Sequence, residues 1–238
     1  MAEEALKKAG HEVVHWQPPN TMWALSQAYA TNVFGDGGKV FVEAVQNDIW
    51  EDHIKDIIYL SMMPAWLKKF IASTIAPLIF PRYLINYLTS SSGSGTISNL
   101  WKDEAEIKEY RRMVVKEMEK QEIDAILCPS MPVPAMRIGE CKDAVGVVVY
   151  TALFNVLNFP SGAVPITKVT TEDIEKDMVN FPTKDMWHKA IKKNLEGSKG
   201  LPVGVQCASL PFYEERCLRM MKDLEKQIGY DVLIEYQN

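Results

Sequence analysis

The spacing of hydrophobic and polar residues changes several times along the chain, and each change predicts a different element. Residues 99–124 predict one long amphipathic helix, because apolar residues recur there at helical spacing on an otherwise charged segment. Those apolar residues are Trp101, Ile107, Tyr110, Val114 and Met118. A second amphipathic helix is predicted at residues 211–228, and an apolar helix is predicted to end at Asn158 to Pro160.

Short apolar runs between these helices predict buried strands at residues 162–166 and 200–210, and residues 125–135 predict a further buried strand that runs into a proline-rich loop. Strands and helices therefore alternate, which is typical of the α/β class. The first residues predict a helix closed by a glycine cap at Gly10, followed by a short strand from Glu12 to Trp16. Helix followed by strand is the second half of a βαβ unit, so the chain is expected to begin within a fold. An α+β domain that starts with a helix is the alternative.

The segment from Asp56 to Leu88 is very hydrophobic, but prolines and lysines interrupt it. Its uncharged run from Phe70 to Pro81 is shorter than the roughly 20 residues of a membrane-spanning helix. We predict two short helices joined near Pro77. They form either a buried core hairpin or a monotopic hairpin whose apolar side enters one leaflet while its cations meet lipid headgroups. In the second case the membrane-facing residues are Trp66, Lys68, Lys69, Phe70, Ile71, Ile75, Leu78, Ile79, Phe80 and Arg82.

The stretch YLTSSSGSGTIS, from Tyr87 to Ser98, has two interpretations. Glycines that turn backbone N–H groups toward an oxyanion, beside a serine hydroxyl, are typical of a nucleophile loop. The same composition is typical of a flexible surface linker.

Composition excludes several classes of function. With 238 residues, 47% of them hydrophobic, the chain is long enough to bury a core. A formal net charge of -5 argues against nucleic-acid binding, which needs a basic face. The four cysteines are too irregularly spaced for a metal site, and we expect reduced buried thiols. The glycines of FGDGGK predict a tight loop between two elements, and they lack the spacing of a phosphate loop. Neither a cofactor nor a metal is expected.

Three motifs in order, FNVLNFPSGAVPI, GLPVGVQ and FYEERCLRMMKDLEK, resemble the C-terminal part of the amidase signature hydrolases. Further motifs extend the resemblance over essentially the whole chain, and they are most similar to the membrane-associated members that cleave fatty acid amides. They are FGDGG at Phe34 to Gly38, MPAWLKKF at Met63 to Phe70 and PLIFPR at Pro77 to Arg82.

This resemblance implies a mixed, twisted β-sheet flanked by helices. Residues 1–238 would be the C-terminal part of one amidase domain, and residues 63–88 would be a membrane-binding helical hairpin within it. The family's catalytic lysine and two serines lie before that hairpin, which places the triad upstream of Met1. The chain alone is then expected to be inactive, with linker serines at Ser90, Ser91, Ser92 and Ser94.

The resemblance also implies a channel for the acyl chain of the substrate. Its lining residues would be Val33, Phe34, Ile54, Ile57, Leu84, Leu88, Val145, Val148 and Trp187. Ordinary core packing is the alternative for each of them. Two departures from the family bear on specificity: Val145 replaces a polar position, and the Ser/Gly connection is longer than expected.

The partners implied are a fatty acid amide, the cytosolic face of an endoplasmic-reticulum-type membrane and a second subunit in a homodimer. Two rival interpretations remain. One is a truncated, non-catalytic protein that binds lipid or membrane, and the other is an unrelated hydrolase with its nucleophile in the Ser/Gly stretch.

Overall fold

The computed structural model describes residues 1–80, 82–140, 147–177, 181–184 and 186–230 of the chain. The chain divides into two compact units. The sheet unit comprises Met1–Gln17, Gln121–Phe154 and Asn158–Asn238. The helical unit comprises Pro18–Lys120 and Asn155–Leu157.

The sheet unit contains a three-stranded sheet in the order β1-β3-β2. The strands are β1 (Ala125–Pro129), β2 (Ser161–Lys168) and β3 (Pro202–Ser209), which confirms the three strand segments predicted from the sequence. Cys207 of the central strand pairs with Leu127 on one side and with Gly162 on the other. Both pairings are antiparallel. The described sheet is therefore entirely antiparallel, and the expected mixed sheet is wrong for these strands. Strands β1 and β2 are parallel to each other, but they do not pair because β3 lies between them.

Helices cover one face of this sheet. The helices with residues in the unit are α1 (Ala2–Lys8), α10 (Val149–Leu157), α11 (Met186–Leu195) and α12 (Glu214–Ile228), and Asp173–Asp177 forms a π-helical turn. Helices α1 and α12 pack together, and α12 lies on β2 and β3. Leu6, Cys207 and Leu224 are among the buried residues of the shared core. Burial of such apolar surface is the main force that holds helices to a sheet.

Helix α1 ends as the sequence predicts. The N–H of His11 donates to the carbonyl of Leu6, and the N–H of Gly10 donates to that of Lys7. With Gly10 at φ +94°, these two bonds form a glycine-dependent helix cap. The predicted strand from Glu12 to Trp16 is wrong, since the segment has no regular structure. Val13 packs against the core, but no pairing joins the segment to the sheet in the part of the chain that the structure describes.

The helical unit is built from short helices and one long one. They are α2 (Thr21–Trp23), a π-helical turn (Ala24–Ala28), α3 (Tyr29–Phe34), α4 (Lys39–Val45), α5 (Asp52–Met62), α6 (Ala65–Thr74), α7 (Ala76–Ile79), α8 (Arg82–Ser90) and α9 (Ile97–Lys120). The glycine loop predicted between α3 and α4 is confirmed, because it spans residues 35–38.

Helix α9 confirms the long amphipathic helix, and its buried stripe consists of Ile107, Tyr110, Val114 and Met118. Trp101 was expected in that stripe but is 71% exposed. The reason is its position: one heptad before Ile107 the stripe reaches Leu100, so Trp101 points to another face. The hydroxyl of Tyr110 donates to the carbonyl of Pro19 over 3.0 Å, and its ring lies 5.4 Å from that of Trp23.

Candidate functional site

The hydrophobic segment from Met63 onward folds into three helical pieces, α6, α7 and α8. The sequence predicted two helices joined near Pro77, and the structure instead places a short third helix there. Pro77 lies in the first turn of α7, where a missing N–H breaks no intrahelical bond. Helix α8 packs against both α6 and α7.

The side chains of α6 and α7 are distributed against the usual pattern of a water-soluble helix. The buried positions are Lys68, Ala72 and Ala76, which follow one another every four residues. Large apolar side chains point outward instead, with Leu78 85% and Trp66 70% exposed. We call the exposed set the apolar hairpin surface: Trp66, Phe70, Ile75, Leu78, Ile79 and Phe80. Exposed apolar patches of this kind mark sites that bind a membrane or another protein.

The other residues predicted to face the membrane are Lys68, Lys69, Ile71 and Arg82, and those with described side chains differ in their exposure. Lys69 is exposed beside the apolar hairpin surface, and Ile71 is half-buried. The side chain of Arg82 lies outside the described residues. Lys68 was expected at an exposed edge, but only 1% of it is exposed.

Lys68 is held inside the hairpin by the end of α8. Its ammonium Nζ donates to the carbonyl of Ser91 over 2.8 Å. This position places a positive charge at the negative end of the α8 dipole. Burial lowers the pKa of Lys68 from its ordinary value of 10.5, because the charged form loses hydration. The signal that the sequence offered was the spacing of Lys68, Ala72 and Ala76, which marks a small inner face.

Several of the residues assigned to an acyl channel lie on neighbouring helices. Phe34 is 3% exposed, and its ring meets that of Tyr87 edge to face with centroids 6.0 Å apart. Helix α3, which carries Phe34, packs on α8, where Leu84 and Leu88 are half-buried. The ring contact between Phe34 and Tyr87 therefore joins α3 to α8.

The remaining channel candidates are more scattered. Ile54 and Ile57 are half-buried on α5, and Val33 is 51% exposed. Val148 is partly exposed and belongs to the sheet unit. Two candidates can be placed only in part: Trp187 lies in α11 with a side chain that is not described, and Val145 lies outside the described residues.

The Ser/Gly stretch is a packed connection rather than a loose linker. Ser91 is 0% and Ser92 7% exposed. The N–H of Ser94 donates to the carbonyl of Gly35, and the Ser94 hydroxyl donates to Asp103 Oδ2 over 2.6 Å. The stretch thus lies against the glycine loop at residues 35–38, and sequence reasoning missed this contact because its two halves are almost sixty residues apart.

The same serines are poorly arranged for nucleophilic attack. The hydroxyl of Ser91 donates to the carbonyl of Leu88 over 2.8 Å, and that of Ser92 lies 3.4 Å from the same oxygen. A nucleophilic serine needs a general base at its hydroxyl and access to the substrate. Ser91 is fully buried, and the ammonium of Lys68 contacts its carbonyl rather than its hydroxyl.

A pocket of about 710 Å³ lies beside Lys68 in the helical unit. We call it the Lys68 pocket. Its walls include the glycine loop, the end of α5, the start of α6, the Ser/Gly stretch and the start of α9. Among the residues that line it are Gly35, Met62, Met63, Lys68, Gly93 and Ile97.

Two features are absent from the described parts of the chain. No helix there combines the length and the hydrophobicity needed to cross a membrane. No group of three or more His, Cys, Asp or Glu side chains there is arranged to hold a metal ion.

Comparison with known proteins gives a consistent result. Residues 1–218 match the family described as Amidase. The chain is 36% identical over 226 residues to fatty-acid amide hydrolase 1 of Sus scrofa, covering 94% of this chain and 38% of that protein. It is 35% identical over 224 residues to fatty acid amide hydrolase 1 of Caenorhabditis elegans, with the same two coverages. The chain thus spans 38% of the length of these relatives.

Solved structures show a related fold. A structure titled fatty acid amide hydrolase superimposes with a TM-score of 0.66 at 18% identity, covering 97% of this chain and 36% of that one. A 6-aminohexanoate cyclic dimer hydrolase gives a TM-score of 0.55 at 16% identity, covering 96% of this chain and 40% of the other. At these identities the likeness concerns the fold alone.

Proposed function

Because this chain belongs to the amidase family, we propose that it is the acyl-binding and membrane-docking part of a hydrolase that cleaves fatty acid amides into a fatty acid and an amine. Similarity to proteins described as fatty acid amide hydrolases, over 94% of the chain, supports the substrate class. The observation that carries the docking role is the apolar hairpin surface, where large apolar side chains are exposed while Lys68 is buried.

Membrane docking follows from the physical chemistry of that surface. Each large apolar side chain gains roughly 1.5–3 kcal/mol when it leaves water, so several together give stable insertion into one leaflet. Lys69 lies at the edge of the surface, where an ammonium can meet lipid phosphates. We place the docked protein at the cytosolic face of endoplasmic-reticulum-type membranes, as a homodimer in the complete enzyme.

The proposed acyl binding is supported by the packing of α3 on α8, where several of the channel candidates lie. A long acyl chain gains about 0.8 kcal/mol for each methylene that is buried, so a channel needs a continuous apolar lining. Phe34, Leu84 and Leu88 offer such a lining close to the hairpin. A lipid amide could then pass from the leaflet to the channel without crossing water.

The chemistry itself is assigned to another part of the complete protein. A serine would attack the amide carbonyl, backbone N–H groups would hold the oxyanion, and a lysine acting through a second serine would protonate the leaving amine. We place these groups in the part of the relatives' length that this chain does not span. The burial of Ser91 and Ser92 supports that placement.

The alternative is a non-catalytic protein that binds membranes, and the apolar hairpin surface would serve it equally well. Assays of oleamide hydrolysis on the purified chain do not separate these two functions, because both predict no turnover. They do test the unrelated-hydrolase interpretation. Turnover that is lost on a serine substitution within this chain would overturn the proposed location of the nucleophile.

Vesicle binding tests the docking role directly. We expect the chain to cosediment with vesicles of phosphatidylcholine and phosphatidylserine. The variant Leu78→Ser should lower the partition coefficient roughly tenfold, because a leucine buried in the leaflet contributes about 1.5–3 kcal/mol. Leu218→Ser is the matched control, since Leu218 is also an exposed leucine on a helix, 61% exposed on α12. Equal binding by both variants would show that the hairpin does not dock.

A further inference from the structure

Lys68 carries a buried charge for which the described residues supply no carboxylate. An ammonium has three N–H donors, and the one hydrogen bond of Lys68 to a described residue goes to the Ser91 carbonyl. No ion pair within the described part of the chain involves it. The end of α8 offsets only part of this charge, because a helix dipole is equivalent to about half a charge. A buried unpaired ion is costly, so the site favours an added anion.

The Lys68 pocket provides room for that anion. Its volume of about 710 Å³ lies within the range of small-molecule sites, roughly 300–1,000 Å³. Asp36, Lys39 and Glu43 also line it, but all three are exposed and therefore hydrated. The carboxylate of Asp36 already accepts the N–H groups of Gly38 and Val40. Lys68 is thus the buried charge among the described lining residues.

A second feature adds positive potential beside Lys68. Thr96 and Ile97, at the start of the 24-residue helix α9, line the same pocket. The first N–H groups of a helix carry its positive end and attract anions. The N–H of Asn99 donates to the Thr96 hydroxyl. No described side chain accepts a hydrogen bond from the N–H groups of Ile97 and Ser98.

The rest of the wall is apolar and selects the kind of anion. Val42, Met62, Met63 and Leu100 line it beside Ile97. A phosphate dianion is bound by several charged donors. A carboxylate carries a single negative charge, which one buried ammonium matches. The apolar wall suits an aliphatic chain attached to the carboxylate.

We propose that the Lys68 pocket binds a long-chain fatty acid, with its carboxylate at Lys68 and its chain along the apolar wall. The inference rests on the proposed function, because a fatty acid is the acid product of amide cleavage. None of the described acyl-channel candidates lines this pocket, so it is a product site separate from the channel. A neutral fatty acid amide lacks the charge that the pocket selects.

Calorimetric titration of the 238-residue chain with oleate, below the concentration at which oleate aggregates, tests this site at pH 8. Wild type should bind oleate, and Lys68→Met should weaken the Kd at least tenfold. Lys102→Met is the matched control, because Lys102 is an exposed lysine on α9 that does not line the pocket, and it should leave the Kd unchanged. Oleamide, the neutral analogue, should be insensitive to Lys68→Met.

A second variant keeps the test decisive where Lys68→Met does not fold. Ile97 is 69% exposed at the pocket, so Ile97→Trp should narrow it without disturbing the core and should weaken oleate binding. Unchanged oleate binding by Ile97→Trp, or equal effects of Lys68→Met and Lys102→Met, would overturn the proposed site. Vesicle binding reports on the proposed function separately, since Leu78→Ser alters the hairpin and leaves the pocket intact.

Discussion

The amide nitrogen of Gly37 lies 2.6 Å from the position that a Cβ on Gly93 would occupy. The Ser/Gly stretch and the glycine loop before α4 therefore meet backbone to backbone, with no space for a side chain between them. Gly93 also has φ +81°, a conformation that other residues adopt only with strain. This contact positions two walls of the Lys68 pocket.

Replacing Gly93 should measure the strength of this contact. We expect Gly93→Ala to lower the free energy of unfolding by roughly 1–3 kcal/mol, because the new methyl group must displace backbone and the φ angle is strained. Urea denaturation followed by circular dichroism gives the value. Gly95→Ala is the matched control: Gly95 has φ +77°, but nothing lies within 4 Å of its Cβ position. Equal losses for both variants would contradict close packing at Gly93.

A second close approach lies in the sheet unit. A Cβ on Gly162 of β2 would lie 2.5 Å from Met221 Sδ on α12. Gly162→Ala should therefore destabilise the protein by about 1–3 kcal/mol, because α12 must shift or Met221 must change rotamer. The double variant Gly162→Ala/Met221→Ala should lose less stability than the sum of the two single variants. Strictly additive losses in urea unfolding would show that the two residues do not interact.

The buried ammonium of Lys68 predicts a specific dependence of stability on pH. Its folded-state pKa is lowered below 10.5, so between the two pKa values the unfolded chain binds more protons than the folded chain. The contribution of Lys68 to stability should therefore rise as pH increases through the lowered pKa toward 10.5. The difference in unfolding free energy between wild type and Lys68→Met, measured from pH 7 to pH 10, should become more favourable to wild type. A flat difference would contradict a lowered pKa.

The cysteines of the sheet unit should be unreactive in the folded protein. Cys207 is 0% exposed, and burial raises the pKa of its thiol to about 12. Alkylation requires the thiolate, so iodoacetamide at pH 8 should leave Cys207 unmodified in native buffer and modify it in urea. Mass spectrometry of tryptic peptides distinguishes the sites. Rapid native alkylation of Cys207 would show that the β3 core opens readily.

Local patterns predicted the elements that depend on local forces. The cap at Gly10 follows from a residue type that the left-handed conformation requires, and the buried stripe of α9 follows from helical spacing. The prediction failed where pairing decides the outcome. Residues 12–16 have the composition of a strand, but a strand forms only with a partner in the right register.

The candidate site was predictable only in outline. The sequence indicated an apolar hairpin, and the structure shows which of its faces is exposed. Lys68 was assigned to a solvated edge, the usual place for a lysine between apolar residues, and the four-residue spacing of Lys68, Ala72 and Ala76 that marks the buried face was missed. The approach of Gly37 to Gly93 was also hidden, since it joins segments that are distant along the chain. Membrane contact and the acyl channel stay predictions until they are measured.

We propose that this chain is part of a fatty acid amide hydrolase. Immunoprecipitation of the native protein, with an antibody raised against residues 99–120 on α9, tests it most directly. The claim predicts a precipitated protein more than twice the size of the 238-residue chain, with oleamide hydrolysis in the precipitate that a serine-directed phosphonate abolishes. A precipitated protein of only 238 residues without hydrolysis would contradict it and favour the non-catalytic membrane-binding alternative.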